Sequence, residues 1–217
     1  MEFISPLTNT AIRFCTISHS GTVFGPEFVA MMRERYGFWT YPQSPEEFKA
    51  DDGIKFAYGR FEGVVVSTMN LYTNGIFVQA DVDTDFLDRL IDDFIAWSTS
   101  KFGCIFAESA PVSRGYTSVM VVRPSADLDA SLSRFRAVSS LLTAMVGELG
   151  IVDAPYTVSG FLLQTDPAKA KPIVPGRFAM ERRANTAIED RLWFAEAPVP
   201  TTQHHRLLET LDYALQS

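Results

Sequence analysis

Chemistry in this 217-residue chain has few candidate carriers: three histidines, two cysteines and one dense group of arginines. His204 and His205 are neighbours at the start of the last expected helix, and Glu181 and Glu196 could be folded near them. Such a pool would serve acid–base catalysis only if it converged in space. Adjacent helical residues point about 100° apart, so one metal ion would need further ligands such as Asp190 or Glu196 to use both imidazoles. Two partly exposed histidines in a first turn is the plainer reading. Cys15 and His19 are four residues apart, the order of a nucleophile and its base. On a strand they would lie about 13 Å apart, which favours a buried structural thiol at Cys15.

The arginines make a different offer. Arg177, Arg182 and Arg183 surround Glu181 in an expected strand whose buried parity is set by Phe178 and Met180. That parity turns Arg182 toward the core, where a guanidinium needs a carboxylate such as Glu189 or Glu196. The alternative use is to grip a small anion, a carboxylate or a phosphate.

Three aromatics, Phe38, Trp39 and Tyr41, crowd the loop after the first helix. They either roof the protein's own sheet or dock a partner, since aromatics lead at interface hot spots. The sequence holds no Gly-rich phosphate loop, no G-x-S-x-G elbow and no paired Cys or His at ligand spacing, so neither a cofactor nor a metal is expected.

Composition narrows the classes further. The chain is 47% apolar and 21% charged, as in a soluble globular protein, and its 17 Phe need a core or an interface to cover them. With 26 acidic and 19 basic side chains the net charge is −7, which argues against nucleic acid. Two isolated cysteines suit a reducing cytoplasm, and neither a signal peptide nor a membrane span is expected.

The elements that must position these residues run in an order that repeats. A first strand over 11–17 carries Ile12 and Phe14 on one face. A helix opens at Pro26 and ends at Gly37, with Phe28, Val29, Met32 and Tyr36 as its stripe. A meander follows over 54–61, 64–72 and 76–80, turned at Glu62-Gly63 and Asn74-Gly75, the second expected in type I′ geometry. Thr84 caps a helix lined by Phe86, Leu87, Leu90, Ile91, Phe94, Ile95 and Trp97.

The second half runs strand 116–122, a long helix over 128–149, three strands near 158–164, 177–183 and 191–196, and a closing helix. The long helix is expected to bury Leu128, Leu132, Phe135, Leu142, Met145 and Leu149, and its small residues imply packing on a further side. Thr201 or Thr202 caps the closing helix, with Leu207, Leu208, Leu211 and Leu215 inward.

This order indicates an α+β protein of two βαβββα-like halves, residues 1–107 and 116–217, with antiparallel meanders, helices on one face and a connector near 108–115. An internal duplication would explain it. Three functions fit: a non-catalytic interaction or assembly subunit that self-associates or docks a protein partner; a binder of a small anion in a cleft between the halves through Arg177, Arg182 and Arg183; and an enzyme whose acid–base groups meet only in space. The absence of a catalytic signature places the first ahead.

Overall fold

A computed structural model describes residues 1–18, 25–48, 53–151, 155–171 and 173–216. Among the described residues ten strands form one antiparallel sheet beside α-helices, a mixed α+β architecture. The seam is a long two-strand ladder. β1 (Glu2–Pro6) and β2 (Asn9–Ser18) lie in tandem along β7 (Arg114–Arg123), from Glu2 opposite Arg123 to Arg13 opposite Arg114. β6 (Ile105–Glu108) continues the ladder past Cys15. Outward from β2 come β5 (Gly75–Ala80), β4 (Val64–Tyr72) and β3 (Ile54–Phe61); outward from β7 come β10 (Trp193–Ala197), β9 (Phe178–Arg182) and β8 (Gly160–Leu163).

The first half follows its alternation except at Tyr58, which has a φ of 55° and is 64% exposed. Ile54, Phe56, Met69, Leu71, Ile76 and Val78 turn to a core roofed by α1 (Pro26–Tyr36) and α2 (Thr84–Phe102). Glu62 and Gly63 take φ of 47° and 82°, the left-handed pair that a type I′ turn requires. At the other turn Asn74 and Gly75 do not adopt that region. Tyr72 already pairs with Gly75, and the link is Thr73-Asn74. Gly75 serves approach instead: a Cβ there would sit 2.8 Å from the Arg13 carbonyl on β2.

β2 buries Ala11, Arg13, Cys15 and Ile17 against the helices, while Ile12 and Phe14 occupy the opposite, half-buried face. The second core gathers Met120, Val122, Phe178, Met180 and Trp193 under Leu208 of α5 (Thr201–Ala214). Leu207 points outward; His204, Leu208 and Asp212 hold the buried side of α5.

The largest departure from the sequence expectation is the helix over 128–149. It breaks into a turn, α3 (Leu128–Ser131), a 3-10 turn at Ser133–Phe135 and α4 (Arg136–Glu148). Only Leu128 of its apolar residues is buried, and Phe135, Leu142, Met145 and Leu149 are exposed. An apolar stripe says that a helix has a greasy side, not that its own chain covers it.

Buried polar groups tie the two closing helices together at the seam. Thr84 and Thr201, each the first residue of its helix, cap one another: Thr84 N–H donates to Thr201 Oγ1 at 3.0 Å and Thr201 N–H to Thr84 Oγ1 at 2.8 Å. Asn9, the first residue of β2, donates to the Val82 carbonyl at 2.7 Å and accepts from Val119 N–H. Thr201→Val keeps the shape but leaves the buried Thr84 N–H without its acceptor. A loss of about 2 kcal/mol in urea unfolding is expected, where a surface Thr→Val would lose almost nothing.

Candidate interaction surfaces

The residues of α4 are arranged inside out. Its side toward the protein carries Ser139, Thr143 and Val146, half-buried, with Thr143 Oγ1 accepting from Tyr156 N–H at 2.8 Å. No residue of α4 is buried. The outward side presents Phe135, Val138, Leu141, Leu142, Met145 and Leu149, between 41% and 79% exposed. The large side chains are left to face solvent.

The two outermost strands differ in the same sense. On β3 the edge is occupied, because Ala57 N–H donates to the Thr40 carbonyl at 2.9 Å and Thr40 N–H returns to Ala57 at 3.1 Å. β8 has no such bridge on its outer edge among the described residues, and its Leu162 and Leu163 are exposed. An uncovered apolar edge is a template for further pairing.

The bridge on β3 also divides the aromatic loop. Phe38 is buried against Tyr36 and Phe56. Gly59 makes room for it, since a Cβ there would fall 2.5 Å from the Phe38 ring. Tyr41 is half-buried under the Arg33 guanidinium, 4.2 Å from its ring centroid. Trp39 is 82% exposed.

The three arginines differ in burial. Arg182 is half-buried, with its guanidinium 4.9 Å from the Trp193 ring centroid and Nη1 donating to the Ile188 carbonyl at 3.4 Å. Arg177 and Arg183 are exposed. Arg182 instead shares a cavity of about 310 Å³ with Arg136, at the start of α4, and with Ser133 and Ser139. A second cavity of about 400 Å³ follows, lined by Phe135, Val138, Leu142 and Phe161.

The acid–base pool is dispersed. His204 is fully buried, its Nδ1 3.1 Å from Ser118 Oγ, and Ser118 in turn reaches Thr201 Oγ1 at 3.4 Å. A His–Ser pair sealed this way has no path to a substrate. Burial, and then the neighbouring His205, push the His204 pKa down to about 4. His205 lies flat on Phe3 with ring centroids 4.1 Å apart. Burial raises the Cys15 thiol above its ordinary pKa, which keeps it a thiol, and His19 lies outside the described residues. Among the described residues no group of three or more His, Cys, Asp or Glu is placed to hold a metal ion. No helix is long and apolar enough to cross a membrane.

One polar centre escaped the sequence reading. Arg13, 5% exposed, points from β2 to α2, where Asp92 Oδ1 lies at 2.8 Å and Asp88 Oδ1 at 3.5 Å, with Glu108 at 3.7 Å. Asp88 also accepts from Tyr116 Oη at 2.7 Å and pairs with Arg114 at 3.6 Å. The i, i+4 aspartates on the helix were the available signal. The network fastens α2 across the seam.

No family model matches this sequence, and no curated protein or solved structure matches it. The class rests on geometry: an α+β sheet protein that presents an apolar helix and an open strand edge.

Proposed function

We propose that this chain is a non-catalytic interaction or assembly subunit. The supporting observation is the outward apolar side of α4, beside the uncovered edge of β8. Monomers rarely leave contiguous apolar patches beyond a few hundred Å², and larger ones mark contact surfaces. Trp39, on the far edge of the sheet, offers a second contact point, while Phe38 and Tyr41 hold its loop in place. A photo-activated cross-linker at position 142, in the cells that make the protein, is expected to capture a protein partner. A cross-linker at exposed Arg60 on β3 serves as the control. Equal, background-level capture at both positions would contradict the reading.

The repeated element order finds a parallel in the sheet, which reads alike in both directions from the β2–β7 seam. Thr84 and Thr201 meet at corresponding points of the two halves. We read this as an internal duplication in which one half, residues 1–107, closed its surface and the other, residues 116–217, kept a side open.

One observation favours a second reading, a small-anion site. Arg136 and Arg182 line the same cavity, and residues 131–183 carry seven of the chain's 19 Lys and Arg but four of its 26 Asp and Glu. Inorganic phosphate or a short carboxylate is then expected to raise the melting temperature, and Arg136→Ala to remove that rise. No rise with either compound would contradict it.

A further inference from the structure

We propose that the occupant of the α4 surface is a second copy of this chain, its α4 packed antiparallel to the first. The proposal rests on the interaction reading above and names its partner. Phe135, Val138, Leu142, Met145 and Leu149 recur at intervals of three, four, three and four, the heptad seam of a two-helix contact. Ordinary surface helices turn such a seam inward; here it faces out.

Charge sets the direction. Arg134 and Glu148 are both exposed and flank the seam seven residues either side of Leu141. An antiparallel pair brings Arg134 of each copy toward Glu148 of the other and sets Val138 against Leu142 and Phe135 against Met145. A parallel pair would align Arg134 with Arg134 and Glu148 with Glu148, and would add the helix dipoles instead of opposing them. The antiparallel contact is two-fold and closed, so it stops at a dimer.

The area is also adequate. Six large side chains, each about half exposed, offer roughly 100 Å² apiece, or about 600 Å² per copy, near the lower bound of about 1,200 Å² in total for a specific interface. Leu162 and Leu163 on the neighbouring β8 edge would add to it.

Sedimentation velocity of the full chain over a concentration series tests this. A reversible dimer is expected. Val138→Glu should shift it to monomer with an unchanged circular-dichroism spectrum, since Val138 is 65% exposed and belongs to neither core. Arg134→Glu and Glu148→Arg should each weaken the dimer severalfold, and the two together should restore it. A monomer at every concentration, or a dimer indifferent to Val138→Glu, would overturn the proposal. So would a double charge exchange weaker than either single one. The cross-linker at position 142 separates this failure from that of the broader reading. Capture of a different protein by a monomeric chain refutes the second copy and leaves the interaction reading standing; capture of nothing refutes both.

Discussion

Replacing Arg13 by alanine is expected to cost about 3 kcal/mol of stability, and replacing it by methionine about 1 kcal/mol. Arg13 is almost fully buried, so truncation opens a gap between β2 and α2 as well as removing the charge. The acids around it decide how much the charge itself matters. Asp92 and Glu108 are more than half exposed and keep their hydration once the guanidinium is gone. Asp88 is the more buried, but it retains Tyr116 and Arg114 as partners. Most of the loss is therefore packing, which a straight apolar chain of similar length restores. Urea unfolding of both variants reads the difference directly. Equal losses would show that charge pairing dominates; no loss in either would mean that the network does not fasten α2.

A second large effect lies in the acid range. His204 is neutral in the fold, with its pKa pushed from an ordinary 6.5 down to about 4. The unfolded chain therefore takes up a proton there, between pH 6.5 and pH 4, that the native chain refuses. The contribution of His204 is fully present above about pH 7 and falls by about 1.4 kcal/mol per pH unit within that window, for a total of roughly 3 kcal/mol. Below pH 4 both states bind the proton and the fall ends. His204→Leu removes the titrating group while Ser118 keeps its contact with Thr201. Its unfolding free energy should be flatter than the wild type's between pH 6.5 and 4. An identical slope in both would place the titration elsewhere.

Both groups show where sequence reading succeeds and where it stops. The first meander was legible to the residue at most boundaries because apolar alternation, broken only locally as at Tyr58, and a Glu-Gly turn leave few alternatives. On β2 the alternation misled: Ile12 and Phe14 looked like the core set, whereas the buried parity includes Arg13. An arginine disguises a core face whenever carboxylates on another element neutralise it, and those lie 75 or more residues away. His204 could have been found, since it stands four residues before Leu208 and on the same side of α5. The mutual capping of Thr84 and Thr201 joins residues 117 apart, and no local signal reports it.

The α4 segment failed for a different reason. Periodicity correctly gave a helix with a greasy side, and the expectation that the chain would bury that side was an added assumption. The arginines divide similarly. The half-buried position of Arg182 followed from parity, but its cavity partner Arg136 lies 46 residues away on α4 and belongs to no recognisable motif.

Amide hydrogen exchange of residues 136–148, followed as protein concentration rises, probes the outward face of α4 most directly. Exchange in this helix should slow as concentration increases in the unmodified chain, and remain fast at every concentration in Val138→Glu. Rates that never vary with concentration, matching those of the variant throughout, would mean that no second copy covers α4.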